Sequence, residues 1–404
     1  MFFVFALTFT PLLAADATTF DLVARAEARG DSPASGSNGP VSRILQLDGG
    51  ASASSSVAEW RLSASYQPRL LVTAPDFAGK DLVNVLSNGR LSVEYLISRL
   101  QKLSLEQTVS YGRQDFSPLH GVAPGAPPPT VPIDPRRPAL DLLTVLSSIT
   151  SLSYAQAVTP RLTLAGRAAI QVGGGADTAA QAYLPQQRGV PADASVSWQA
   201  SKHDRISFEL GGSTFAFSNG NRTSLAKASA AWKTDLGPSL SADLGFGGGS
   251  TLTSTLGNSN GWQATYLATA GLTSGLLFGR QKLTGTVGGS VNTVIDQLIG
   301  APYRLATLVA AIGYEPLNVL RFTASASAGR ALSGAAEHGQ TLALADAAAN
   351  WQAARDVSFA VGARFASTSG GGTAGALPHS TQWAGYAAIT WVPSSRAVFA
   401  ERAQ

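Results

Sequence analysis

The residues that could do chemistry are four histidines, three glycine triplets and a scatter of charges inside apolar segments. His120, His203, His338 and His379 are the imidazoles, and the chain has no cysteine to join them. A zinc site needs three or four converging ligands, and no two of these histidines share a ligand spacing. They read as solvated loop residues. Glu337-His338 and His203-Asp204 would suit a hydrolase that pairs an imidazole with a carboxylate. Adjacent residues of extended chain point to opposite faces, however, so neither pair converges. The triplets at 173–175, 247–249 and 370–372 resemble phosphate loops. None is followed by Lys-Ser or Lys-Thr and none opens a helix, so they read as flexible loop tips. No catalytic residue, metal or cofactor is expected.

The charges inside apolar segments are more informative, because they recur on one face of an alternating pattern. Val357-Ser358-Phe359-Ala360-Val361-Gly362-Ala363-Arg364-Phe365 places Val, Phe, Val, Ala and Phe on one side and Ser, Ala, Gly and Arg on the other. Leu320 to Ser327 sets Arg321, Thr323, Ser325 and Ser327 apart from the apolar positions, and Leu91 to Tyr95 sets Glu94 on its polar face. Period-two alternation is the mark of a strand with two unlike faces. By this parity the polar face carries Arg61, Lys102, Arg161, Arg167, Lys227, Arg321 and Arg364 with Glu94, Glu106, Glu209 and Asp346. If that face lines a pore, bases outnumber acids and a weak preference for anions is expected.

The elements that carry these residues must hide an unusual surface. Only 13% of the 404 residues are charged, whereas soluble domains carry about 25%. Beyond the first residues, no apolar run reaches the length of roughly 18 residues that a spanning helix needs. A bilayer tolerates helices or edge-free barrels, which leaves the barrel. The net charge of +4 is small for this length, and no basic run suggests nucleic acid. Met1 to Leu13 is an apolar run ending at Ala15-Asp16-Ala17, which reads as a signal peptide over 1–17, although a charged n-region is missing. Residues 18–42, small and polar, are expected to form a flexible periplasmic arm, and 43–404 an outer-membrane barrel. Ile44 to Ser54 fits either a first strand or part of that arm.

The connections fall into two kinds. One is short and follows an aromatic residue: Tyr66 before Gln67-Pro68, Tyr154 before Thr159-Pro160, Trp198 before Lys202-His203, and Trp232 before Gly237-Pro238. Tyr314 before Glu315-Pro316, Trp351 before Arg355-Asp356 and Trp391 before Pro393 continue the series, with two less regular turns near 98–101 and 275–281. Trp and Tyr favour the headgroup layer, so these seven aromatics are expected to form an interfacial girdle. The other kind is long and variable: 73–87, the proline-crowded 117–140, 174–191, 251–260, 295–302, 332–340 and 369–380, with a tight Asn219-Gly220 turn among them. Short turns at one end and long loops at the other describe an all-β, transmembrane up-and-down antiparallel β-barrel. About nine hairpins imply 16–18 strands. Phe399 is followed by five further residues, so the last strand is not read clearly.

From Trp60 to Phe116 the chain runs strand, Tyr66-Gln67-Pro68-Arg69, loop, Asn88-Gly89-Arg90-Leu91-Ser92-Val93-Glu94-Tyr95, then Leu103 to Gly112. This frame, repeated over 143–392, resembles the β-barrel porins encoded in exopolysaccharide gene clusters (β-barrel porin 2-like). The resemblance implies an outer-membrane pore serving as an exit channel for a secreted polysaccharide or as a general diffusion porin for small solutes. Lipids, lipopolysaccharide, the barrel assembly machinery and polysaccharide export proteins are the partners it implies. A structural or adhesive barrel with a closed lumen is the alternative, and a barrel-embedded hydrolase is a more distant one. Oligomeric state is left open.

Overall fold

The structure is a computed structural model that describes residues 17–32, 42–57, 59–73, 83–114, 143–255, 258–295, 300–333, 341–369, 380–393 and 396–399. The wall is made by β1 (Ala17–Asp31), β2 (Ser42–Val57), β3 (Trp60–Thr73), β4 (Val83–Ser98), β5 (Gln101–Gln114) and β6 (Leu143–Thr159). It continues through β7 (Leu162–Gly175), β8 (Gln187–Gln199), β9 (Asp204–Phe217), β10 (Arg222–Gly237), β11 (Leu240–Thr255) and β12 (Asn258–Phe278). It ends with β13 (Gln281–Ile295), β14 (Pro302–Leu317), β15 (Leu320–Ser333), β16 (Thr341–Ala354), β17 (Val357–Ser369) and β18 (Ser380–Trp391). Each strand pairs antiparallel with its sequence neighbours, and β18 pairs with β1, Ala24 opposite Trp391, which closes an 18-stranded ring. A short strand, β19 (Arg396–Phe399), runs beside the start of β1. Closure leaves no bare edge of unbonded amides, the condition a bilayer imposes on any sheet.

The hairpins alternate as expected. The connections at 58–59, 99–100, 160–161, 200–203, 238–239, 279–280, 318–319 and 355–356 are short, and all lie at one end. Gly279 adopts a left-handed φ of 63° in one of them, a conformation that glycine reaches without a Cβ clash. At the other end α1 (Thr178–Tyr183) sits between β7 and β8. The carboxylate of Asp177 caps it, accepting from the Ala180 amide at 2.7 Å. Hydrogen bonds from that amide and from Thr144 hold the Asp177 carboxyl below the usual carboxylate range.

Several expectations are corrected. Residues 18–31 are no free arm; they form β1, bonded to β2 along its whole length, and the barrel begins at Ala17 rather than 43. The alternation there is Arg25-Ala26-Glu27-Ala28-Arg29, in which alanine serves as the apolar partner and is easily mistaken for linker composition. Residues 33–41, and the signal segment up to residue 16, lie outside the described residues. Tyr66 stands halfway along β3, and the true turn is eight residues earlier, at 58–59. Residues 251–260 are mostly strand, since β11 runs to Thr255 and β12 starts at Asn258.

The triplet 247–249 is also strand, in the middle of β11, and 173–175 ends β7; 370–372 lies outside the described residues. A Cβ on Gly247 would come within 2.3 Å of the Ala228 carbonyl oxygen, and one on Gly249 within 2.2 Å of that of Ala226. Glycine is needed there because the wall presses its inner face together, not because the chain turns.

Candidate lumen wall and membrane face

Register fixes which way each residue faces. Glu27 pairs with Gln46, Arg61 with Glu94, Ser92 with Glu106, and Ser153 with Arg167. Glu209 lies opposite Ser195, Lys227 opposite Gly249, Ser325 opposite Asp346, and Asp346 opposite Arg364. All stand on the inner face, as do Lys102 and Arg321. The outer face carries the exposed large apolar residues, among them Leu210, Phe246, Leu308 and Val361. Arg161 is the exception among the expected inward charges. It occupies the turn after Pro160, where the ladder has ended and alternation no longer assigns a face.

The inner face carries many charges that alternation in the clearest segments does not reveal. Arg25, Arg29, Arg69, Arg90, Arg205, Lys233 and Lys282 join the bases. Asp21, Glu27, Asp31, Asp48, Asp193, Asp235, Asp243 and Glu315 join the acids. The excess of bases expected from the sequence shrinks to a single charge, since the bases and acids named on this face are nearly balanced. Most of these groups are bonded to each other. Lys102 Nζ lies 2.6 Å from Glu94, Lys227 Nζ 2.6 Å from Glu209, and Arg69 Nε 2.8 Å from Asp48. Arg90 lies 2.9 Å from Glu106, Arg29 2.6 Å from Asp31, and Arg321 3.4 Å from Glu315. An ion pair next to water contributes little to stability, about 0–1 kcal/mol, but it cancels two fields.

Arg29 and Asp31 are buried, and beside them lies a larger buried cluster. Arg364 on β17 donates to Glu27 on β1 at 3.0 Å and to Asp346 on β16 at 3.4 Å. Tyr386 on β18 donates its hydroxyl to the same Asp346 oxygen at 3.2 Å, and the guanidinium lies 4.2 Å above its ring. Arg25 pairs with Glu27 from the other side. The cluster spans four successive strands across the closing seam, and Glu27 is only 2% exposed. Sequence reading missed Arg25 and Glu27 because they fell in the supposed arm. The signal was present as a charge at every second position.

Strands β12 to β15 present the opposite texture. Their inward positions include Thr269, Thr286, Ser290, Thr307, Ser325 and Ser327 with Gly271 and Gly288. Ser290 and Thr307 share a hydrogen bond of 2.7 Å. The charged residues of this sector, Lys282, Glu315 and Arg321, gather at the short-turn end.

On the outer face Tyr154, Trp198, Trp232, Tyr314, Trp351 and Trp391 lie near the short-turn ends of their strands, and Tyr66 does not. Trp60 and Tyr95, absent from the expected series, join the same end with ring centroids 4.4 Å apart. Trp60 directly follows the turn at 58–59 and Tyr95 precedes the turn at 99–100 by four residues, a frame the sequence offered once the first of these turns was placed. Trp351 stacks on Phe359 at 5.8 Å. Of the histidines, His203 sits in the 200–203 turn, while His120, His338 and His379 lie outside the described residues. Among the described residues no three His, Asp or Glu side chains form a group that could hold a metal.

A closed 18-stranded barrel with an apolar exterior and a polar interior is an outer-membrane barrel of porin type, and the outer membrane of a Gram-negative cell is its place. Residues 88–383 match the EpsX exopolysaccharide export family, and the chain belongs to that family. None of the curated proteins matches it in sequence. Among solved structures it is similar to the FrpB iron transporter of Neisseria meningitidis, with 9% identity and a TM-score of 0.57 over 91% of this chain and 65% of that one. It is also similar to OccAB4 of Acinetobacter baumannii, at 7% identity and a TM-score of 0.51 over 95% of this chain and 99% of the other. The outer membrane protein OpdK of Pseudomonas aeruginosa aligns at 10% identity and a TM-score of 0.50, over 95% of this chain and 100% of its own. At such identities the likeness is one of fold.

Proposed function

We propose that this barrel is the outer-membrane exit for a secreted exopolysaccharide. The observation that carries the reading is the export-family match over residues 88–383, made by a chain whose wall closes around a polar, hydroxyl-rich interior. An 18-stranded ring is wide enough to enclose an aqueous path. On this reading the inward charges from Arg61 to Arg364 line that path, the aromatics near the short turns seat the barrel in lipid and lipopolysaccharide, and residues 1–17 direct export. The barrel assembly machinery would insert it, and periplasmic polysaccharide export proteins would deliver the polymer to the short-turn end. No catalytic step is assigned to it.

Deleting the gene tests this. Loss of surface polymer, with polymer retained inside the outer membrane and release restored by the wild-type barrel, is the expected result. A strain that keeps its surface polymer but takes up small solutes more slowly would instead establish a diffusion porin.

A further inference from the structure

We infer that the conduit is built for an uncharged, hydroxyl-bearing polymer and not for a polyanion, an inference that rests on the export reading above. A polymer with a carboxylate or sulfate on each repeat needs cations along its path that are free to meet it. Here eight of the thirteen inward bases named above are ion-paired, and Arg61, Arg167, Lys233 and Lys282 each stand opposite an acid in register. Lys102 with Glu94, Lys227 with Glu209, Arg69 with Asp48 and Arg364 with Glu27 are pairs 2.6–3.0 Å long. The Debye length at physiological ionic strength is about 8 Å, so a pair this tight presents almost no field to a chain one Debye length away. Inward acids without an ion pair among the described residues, such as Asp193, Asp235 and Asp243, would also repel a passing anion.

The sector from β12 to β15 adds a positive reason. Thr269, Thr286, Ser290, Thr307, Ser325 and Ser327 turn hydroxyls inward, and a hydroxyl both donates and accepts. Such a wall can exchange hydrogen bonds with sugar hydroxyls as readily as with water, without holding any one sugar tightly. Ring stacking is not offered in its place. Among the described residues the inward aromatics are Phe215, Phe217, Tyr303 and Tyr386, and the last three are buried in the wall.

Two measurements on the intact system test this. The first is the composition of the polymer that the deletion strain fails to release. Neutral sugars are expected, and a uronic acid or sulfate on every repeat would overturn the inference while leaving the export reading standing. Surface polymer that survives the deletion overturns the export reading whatever its composition. The second is the reversal potential of the purified barrel in a planar bilayer under a tenfold KCl gradient. A value near zero is expected, moving toward anion selectivity in the double variant Glu94→Gln, Glu209→Gln, which frees Lys102 and Lys227. A wild-type barrel as anion-selective as that variant would sink the idea. If the purified barrel stays shut, the polymer composition decides alone.

Discussion

From β16 round to β3 the inner wall carries acids and bases bonded to one another, whereas from β12 to β15 the same face carries hydroxyls and glycines with its few charges at one end. Both stretches belong to one ladder and obey one alternation, so backbone pairing does not distinguish them. The difference lies in what happens when the chain changes. The seam is held by groups that depend on each other, and removing one leaves the rest buried and uncompensated. The hydroxyl sector has no such dependence, and its inward face is open to substitution in a way that its lipid face is not.

The comparison can be broken at four places, from the largest expected effect to the smallest. Glu27→Ala should lower the stability of the folded barrel by about 3–5 kcal/mol, because Arg364 and Arg25 lose their buried partner. Urea titration in lipid vesicles measures this, with Glu106→Gln as the contrast. The Arg90–Glu106 pair is well exposed, so that change should cost under about 1 kcal/mol. Equal losses would show that burial at the seam is of no consequence. In the hydroxyl sector, Leu308→Arg faces lipid in mid-strand and should cost about 2–4 kcal/mol. The neighbouring Ser327→Arg faces inward and should leave the urea midpoint almost unmoved while shifting the reversal potential toward anions.

Gly247→Ala tests how closely β11 packs on β10, beside the hydroxyl sector. Its Cβ would meet the Ala228 carbonyl, and backbone cannot rotate away as a side chain can, so a loss of about 1–3 kcal/mol is expected. An unchanged midpoint would mean that β11 has room to move. The smallest effect lies outside both walls, in the cap of α1. The Asp177 pKa is depressed, so its contribution is present above the ordinary carboxylate range and fades as pH falls through the lower folded value. The protection of the Ala180 amide, its exchange rate relative to that of the unstructured chain at the same pH, should therefore fall only in strong acid, and in Asp177→Ala it should be low at neutral pH as well.

Much of this was legible before the structure. Low charge, period-two alternation and unequal connections define the barrel, and strand register puts all the expected inward charges except Arg161 on one face, opposite the exposed apolar residues. What stayed hidden shares a physical cause. β1 alternates charge with alanine, whose small apolar side chain marks a membrane face no better than it marks a linker. Gly247 and Gly249 look like loop residues because sequence does not report how closely two strands approach. Tyr66 sits before a proline that suggests a turn, yet Pro68 stays in β3, paired with Ser87 of β4 where the ladder to β2 is interrupted. The ion pairs that cross from strand to strand depend on register, and a one-residue slip would have separated them, while Arg25–Glu27 and Arg29–Asp31 lie within β1.

The seam has a consequence for how the protein comes into being. Other wall strands find their partners a hairpin away, but Arg364 and Glu27 are 337 residues apart in sequence. Holding the ends of so long a chain together costs about 5 kcal/mol of entropy on a logarithmic loop scale. That charge falls on a single event, the docking of β18 against β1, which cannot happen until the last hairpin exists. Contacts between such distant residues are slow to form. An incomplete barrel therefore waits with both edges bare, and its rate of completion belongs to the final strands and to whatever shelters the first one meanwhile.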